Sequence, residues 1–563
     1  MFKRVLFTLF PILFSFNSIA FSQHEHHEMG HSMDTASDKA AWRMPPMDME
    51  MPMLPGLHSE LPPAEPFLAG LGLNVSDLPE AVPQETINLA DGDTISLQAS
   101  IIRRTILGQD YAMYGYNGQY PGPLIRAPEG ATIVVEFNNK IEFPTTVHWH
   151  GLRLDNRFDG IPGITQDAVE IGESFTYELF FRDAGIFWYH PHVLEYIQQD
   201  LGLYGNMIVD PKNKDHYSPV NREETLILDD ILMDEQGLIP WGADNPTHTL
   251  MGRFGNVMLV NGKTDYQFEV NRNDVTRFYI TNVANTRTFN TVFEGAKIKL
   301  VGSDVSKFER EQFIENIPIG VAERYIVEVL YEEPGVYPIT NSIQAINHFR
   351  GEFYPHKDTL GTVHVSDTNT EENYTEAFHS LRQNRDVQDD VADFEPYFDK
   401  PVDHSLELTL SVSGLPLAIM QSMAIDTFYV PHVEWNDTMP MMNWLSTGSQ
   451  VEWILLDPAT GKKNMDINWN FKQGDVVKIR IFNDPKTFHP MGHPFHIHGQ
   501  RHLVLSIDGV PNPNLVWKDT SIIPVGSTVD LLVEMSNPGD WMMHCHIGEH
   551  LDAGMMLGFS VEE

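Results

Sequence analysis

Cysteine is all but missing: Cys545 is the only one in 563 residues. That excludes an internal disulfide and leaves one thiol that needs protection in oxidising surroundings. Positive charge is scarce as well, with 37 Lys and Arg against 78 Asp and Glu and a formal net charge of -41. Such a surface repels phosphate backbones and anionic lipid, so nucleic acid and charged membranes are not expected partners. Beyond the first residues no run reaches the roughly 18 uninterrupted apolar side chains of a membrane span. No Arg-Arg pair precedes the apolar stretch Val5 to Phe16, and no cysteine sits at the expected cleavage point before Gln23. Residues 1–22, with Lys3 and Arg4 in front and Ala20-Phe21-Ser22 behind, therefore read as a secretory signal for unfolded export without a lipid anchor. The expected location is periplasmic or secreted, and the expected state is a monomer.

The length exceeds what one core supports and suits roughly three or four domains. Residues 23–84 begin with His24, His26, His27 and His31, followed by Met44, Met47, Met49, Met51 and Met53 among prolines. No periodicity is present, so the segment reads as a tether. Thioether sulfur suits cuprous ion and imidazole suits cupric ion, so this tail is either a copper collector or a plain linker. Residues 85–212 form the first all-β domain, with β-rich stretches such as Ala131 to Phe137 and Ser174 to Phe181 between Gly and Pro turns. A second β-domain spans 221–366 and has no histidine pair. Residues 367–402 are polar and acidic, and read as a linker with room for a helix. The third domain spans 403–563.

The three domains read as repeats of one plan. Ala184-Gly185 precedes a short aromatic strand and a histidine pair, and Pro538-Gly539 does the same near the end of the chain. The second domain has the turn, Glu333-Pro334-Gly335, without histidines. Pro191 of the first copy stands where Cys545 does, and Tyr196 where His550 does.

Chemistry concentrates in histidine. With 25 histidines, chance placement gives about one His-x-His. The domains hold four such pairs: His148/His150, His190/His192, His496/His498 and His544/His546. Strand side chains alternate faces, so both members of a pair point the same way. Eight neutral imidazoles suit several borderline metal ions, not one. The same parity separates a second group. Cys545 points away from its flanking histidines, and His493 points away from His496. With His550 and Met555 they offer two imidazoles, a thiolate and a thioether, the donor set of a mononuclear blue copper site. One covalent segment thus touches two metal sites.

These motifs resemble the multicopper oxidases, specifically the three-domain bacterial laccase and metal-oxidase branch. The matching stretches are His148-Trp-His-Gly151, Trp188-Tyr-His-Pro-His192, His493-Pro-Phe-His-Ile-His-Gly499 and His544-Cys-His-x3-His550-x4-Met555, and the likeness runs from about Glu85 to the C-terminus. The resemblance implies an all-β fold of three cupredoxin-like Greek-key β-barrel domains in tandem. It also implies four copper ions. The type 1 copper takes His493, Cys545, His550 and axial Met555, and the type 2 copper takes His148 and His496. One type 3 copper takes His150, His190 and His546; the other takes His192, His498 and His544. Dioxygen is the electron acceptor, and Cys545 passes electrons singly to His544 and His546. In such relatives an acid at the place of Asp159 helps move protons near the type 2 copper; a turn aspartate before Gly160 is the plainer account. Several relatives carry Glu directly after the second type 1 histidine, as a proton donor. This chain has Leu551 there and Asp552 next, so another acid serves or the relay differs. His489 is extra to the motif and reads as a supporting or surface histidine.

An axial Met tunes the site to modest potential, which favours easily oxidised donors: cuprous ion, ferrous ion or phenols. Met420, Met423, Met439, Met441 and Met442, with the tail methionines, point toward cuprous ion and copper tolerance. Core packing is the alternative for Met420 and Met423. Phenol oxidation of the laccase type is the competing activity. A copper carrier without turnover is a third reading, weakened because a carrier needs no eight-histidine cluster.

Overall fold

The computed structural model describes residues 66–242, 244–347, 352–370, 372–413, 433–435 and 448–563. The signal sequence, the His/Met-rich tail up to residue 65 and the methionines Met420, Met423, Met439, Met441 and Met442 lie outside the described residues.

Alternation makes the sheets. In Thr132–Lys140, Ile133, Val135 and Phe137 are buried while their neighbours are more exposed, the pattern of a strand with one face on a core. The chain builds three two-sheet β-domains in tandem, the cupredoxin-like architecture. In the first, a four-stranded sheet (Gln109–Tyr116, Thr94–Ile106, Thr132–Lys140, Ser174–Phe180) accompanies a five-stranded one (Thr86–Asn88, Leu124–Pro128, Gly205–Asp210, Gly185–His190, His148–His150). The second domain has two six-stranded sheets, around Phe268, Phe278, Phe289 and Val327. The third has a seven-stranded sheet and a five-stranded one ordered Asn468–Lys472, Met556–Glu562, Gly539–Cys545, His493–Ile497, Thr520–Ile523. Its core includes Trp453, Phe495, Leu531, Trp541, Cys545 and Met555.

The first and third domains repeat down to register. Antiparallel pairing sets His148 opposite His190, and the matching strands of the third domain set His496 opposite His544.

Two segments differ from the sequence reading. Residues 66–84 are not tether: Phe67 bridges Trp241, and Ala81 and Val82 donate backbone hydrogen bonds to Arg103 and Gly118. Backbone pairing, invisible to composition, pins them. The acidic segment 367–402 is a docked strap with helices at Thr375–His379 and Arg385–Ala392. Phe378 is buried beside Val275 and Leu330. Asp390 accepts hydrogen bonds from Trp517 Nε1 at 2.7 Å and Arg501 Nη1 at 2.9 Å, so its charge serves an anchor.

Candidate metal centre

Four short pieces of strand bring the eight paired imidazoles together. His148 and His150 sit on a three-residue edge strand, His190 ends Gly185–His190, and His496 and His544 sit on neighbouring strands of the third domain. His192, His498 and His546 follow just past the strand ends. Rings from the first and third domains interleave: His150 stacks on His496 with centroids 3.8 Å apart, and His148 lies 4.2 Å from His498. His190 and His546 are 5.0 Å apart, and His192 and His544 5.3 Å. Most are sealed from solvent; His192 keeps partial exposure.

The outer nitrogens are tied down. Nδ1 of His148, His190, His496 and His544 lies 2.7–3.0 Å from the carbonyl oxygens of Asp159, Pro191, Asp519 and Cys545 respectively. A carbonyl only accepts, so each Nδ1 carries the hydrogen and each Nε2 keeps a bare lone pair. His150 is turned the other way. Its Nε2 meets Asp519 Oδ1 and Thr520 Oγ1, each at 3.0 Å, and its Nδ1 is the inner atom. The inner nitrogens of His148, His150, His190, His192, His496 and His546 are buried without any hydrogen-bond partner. His498 Nε2 and His544 Nε2 face each other at 2.9 Å. Buried lone pairs aimed at one another are costly unless cations lie between them. The donor set therefore fits metal ions. Burial, and then the neighbouring rings, hold the imidazoles of His190, His192, His496 and His544 far below their ordinary pKa; for His150 the Arg324 guanidinium comes after burial and before the rings, and all five are neutral as ligands must be.

Asp159 closes one side. Its Oδ2 accepts from His498 Nδ1 at 2.9 Å, and its Oδ1 lies 3.3 Å from His148 Nδ1. Burial alone pushes this carboxyl up, but the facing imidazoles of His498 and His148 outweigh it and leave it well below the usual range. Gly160 makes the approach possible: its φ is +82°, and a Cβ there would stand 2.1 Å from the Val147 carbonyl oxygen.

On the other face of Gly539–Cys545, Cys545 Sγ lies 3.4 Å from His493 Nδ1 and 3.8 Å from His550 Nδ1. Trp453 stacks on His550 at 3.9 Å. Met555 is fully buried in the same core, its carbonyl accepting from Cys545 N–H at 3.1 Å and its N–H donating to the His550 carbonyl at 3.0 Å. Burial pushes the Cys545 thiol up, so a thiolate here needs a cation beside it.

Sequence reasoning missed three residues. Glu195 opens the helix Glu195–Gln198, with Oε1 3.3 Å from His546 Nδ1 and Oε2 3.9 Å from His192 Nε2. Both its oxygens are buried and without hydrogen bonds, and burial, then Glu549, raises its pKa far above the carboxylate range. Its position three residues after His192 was the available signal. Asp519 and Arg324 carry no local signal. His489 proves buried, not superficial.

Family models described as multicopper oxidase match residues 98–214, 213–366 and 435–563. The chain is 26% identical over 485 residues to the multicopper oxidase MmcO of Mycobacterium tuberculosis, covering 78% of this chain and 81% of that one. It is 26% identical over 493 residues to a laccase of Arthroderma benhamiae, covering 78% and 72%. In fold it resembles a Campylobacter jejuni multicopper oxidase described as a metallo-oxidase, with TM-score 0.66, 23% identity and 89% and 99% coverage. The chain thus belongs to the multicopper oxidase family, copper-dependent oxidoreductases that pass electrons from a reducing substrate to dioxygen.

Proposed function

We propose that this protein is a periplasmic or secreted oxidase of cuprous ion that serves copper tolerance. In this reading His493, Cys545, His550 and Met555 hold the type 1 copper, and His148 and His496 hold the type 2 copper. His150, His190 and His546 hold one type 3 copper, and His192, His498 and His544 hold the other. Copper bound at these groups supplies one-electron acceptance at Cys545 and four-electron reduction of dioxygen to water at the histidine cluster. The observation that carries the proposal is the convergence of bare imidazole lone pairs from two domains on one side of Cys545, with two imidazoles on its other side.

The chain's own groups divide the remaining work. Cys545 links the two sites: its carbonyl accepts from His544 Nδ1 at 2.9 Å, a through-bond and hydrogen-bond route for single electrons. A cavity of about 220 Å³ lined by Ile161, Met542, Leu551, Asp552, Glu195 and His192 reaches the cluster from outside. Its apolar wall admits dioxygen. Glu195, kept protonated by burial, holds a proton at its inner end, the place left by Leu551. Asp159, kept ionised by the imidazoles that face it, offers Oδ1, buried and without a hydrogen bond, as a proton acceptor on the His148 side. A polar cleft of about 650 Å³ lined by Ser411, Glu452, Asn464, Asp552 and Gly554 lies beside the Met555 turn. Glu452 in that cleft is paired with Lys463 Nζ at 2.6 Å; the Asp552 carboxyl and the net charge of -41 draw in a small cation better than a neutral phenol.

Oxygen uptake with cuprous ion as donor is expected to exceed uptake with a phenol, and deleting residues 23–63 is expected to lower the cuprous rate selectively. Faster uptake with the phenol, unchanged by the deletion, would make the protein a laccase, the reading its similarity to the Arthroderma benhamiae laccase favours.

Burial also sets the pH range. At the Cys545 site it holds His493 down to about 3 and His550 well below its ordinary value, which is about 6.5. A lowered pKa keeps the imidazole neutral, and able to ligate, in more acid solution. The copper-loaded protein is therefore expected to keep its blue absorption from pH 7 down to about pH 5. Absorption spectra along an acid titration check this, and bleaching centred near pH 6.5 would contradict it.

A further inference from the structure

The second domain contributes no histidine to the cluster, yet it reaches it through one buried guanidinium. Arg324, on the second-domain strand Arg324–Leu330, grips Asp519 of the third domain with two parallel bonds. Nη1 meets Oδ1 at 2.6 Å and Nη2 meets Oδ2 at 2.5 Å. Asp519 Oδ1 is the atom facing His150 Nε2 at 3.0 Å, and the Asp519 carbonyl accepts from His496 Nδ1 at 3.0 Å. Thr520 Oγ1 sits between the same rings, 3.0 Å from His150 Nε2 and 3.1 Å from His496 Nδ1, and donates to Asp519 Oδ1 at 2.9 Å. Arg324 Nε donates to the Ile186 carbonyl of the first domain at 3.1 Å. One side chain thus ties all three domains at the cluster's edge.

The surroundings fix that side chain in turn. Arg324 N–H donates to Asp304 Oδ1 at 2.9 Å. Asp304 Oδ2 lies 3.3 Å from Lys518 Nζ, which is also 3.3 Å from Glu323 Oε1 and 2.7 Å from Ser303 Oγ. Arg324, Asp304 and Asp519 are fully buried. Gly151 records how tightly the pair is seated. Following His150 with φ +86°, it would place a Cβ 2.4 Å from Asp519 Oδ2 and 2.7 Å from Arg324 Nη2. Its lack of a side chain is what lets the first domain close on the ion pair.

His150 is the ring that needs this help. His148, His190, His496 and His544 donate Nδ1–H to backbone carbonyls, which cannot swing away, and present Nε2. His150 presents Nδ1, and its orientation depends on a carboxylate side chain and a hydroxyl. A carboxylate with rotatable bonds fixes a ring only if the carboxylate is itself fixed, and the planar fork of arginine does that where the point charge of lysine does not. We propose that Arg324 of the histidine-free domain is a positioning residue for copper: by clamping Asp519 it sets the tautomer and tilt of His150 and steadies His496. This rests on the reading that the eight imidazoles bind copper.

The test compares copper affinity at the two sites within one molecule. Copper-free wild type, Arg324→Met, Arg324→Lys and the charge-balanced double variant Arg324→Met/Asp519→Asn are titrated with copper. Blue absorption reports the Cys545 site, and total copper per chain minus that site reports the cluster. The expected result is roughly 10- to 100-fold weaker binding at the cluster, with the blue absorption and its midpoint unchanged, in Arg324→Met and Arg324→Lys alike. The double variant removes the unpaired buried charge while leaving an acceptor for His150, so it is expected to fold even where Arg324→Met does not. It is expected to show the same cluster defect. Gly151→Ala, which keeps every charged group, is expected to show it as well. Wild-type affinity at the cluster in the double variant and in Arg324→Lys would overturn the proposal, as would equal weakening at both sites, the signature of general loosening. A wild-type protein that binds copper only at Cys545 would instead sink the functional reading on which this rests.

Discussion

Cys545→Ser is expected to remove the blue absorption entirely and to bring oxygen uptake with either donor down to background. The argument is local. Cys545 is the only sulfur within reach of His493 Nδ1 and His550 Nδ1 as a thiolate donor, at 3.4 and 3.8 Å, and a hydroxyl neither forms a thiolate nor binds copper as one does. Electrons that cannot be accepted at this face have no covalent path to His544 and His546. The fold is expected to survive. Serine is close in volume, and a buried hydroxyl without a partner costs about 1–3 kcal/mol, small against a core holding Trp453, Phe495, Trp541 and Leu557. The histidine cluster on the opposite face of the strand is expected to keep its copper. Spectra and copper content measured on the same sample separate the outcomes. A variant that stays blue would mean the metal at this face is held without Cys545. A colourless variant that still turns over would mean that electrons enter the cluster directly.

The alternation of strand side chains carried most of the site. His148/His150, His190/His192, His496/His498 and His544/His546 could be read as same-facing pairs, and Cys545 as opposite-facing, without knowing which strands pair. Register was another matter. His148 opposite His190 and His496 opposite His544 are set by hydrogen bonds between strands far apart in sequence, and no local pattern encodes them. The same limit hid the supporting charges. Asp519 lies 369 residues from the His150 ring it touches, and Arg324 comes from a domain without any histidine pair. Glu195 was nearer to hand, but a lone carboxylate in Val193-Leu194-Glu195-Tyr196-Ile197 resembles the solvent-facing residue of an amphipathic turn until its burial is seen. Composition misled at residues 66–84 and 367–402. Residues 66–84 group with the His/Met-rich tether and 367–402 read as a polar linker with room for a helix, while backbone pairing at Phe67 and Val82 and the anchor at Asp390 dock both segments.

Asp159→Asn is expected to slow turnover roughly 10²- to 10⁴-fold, the span associated with removing a positioned acid or base, while leaving the blue absorption untouched. The structure separates two duties of this residue. Its backbone carbonyl accepts from His148 Nδ1 at 2.7 Å, a contact no side-chain substitution alters, so His148 keeps its orientation. Its carboxylate accepts from His498 Nδ1 at 2.9 Å, and an asparagine oxygen takes over that bond with the same geometry. What asparagine cannot supply is the negative charge, which the facing imidazoles hold well below the usual carboxylate pKa, or an oxygen that takes and returns a proton. Copper content is therefore expected to stay near the wild-type level while the rate falls. Asp159→Ala removes the acceptor too, and is expected to lose cluster copper along with activity. If Asp159→Asn turns over at the wild-type rate with full copper, the carboxylate serves only to hold His498, and protons reach the cluster from the Glu195 side alone.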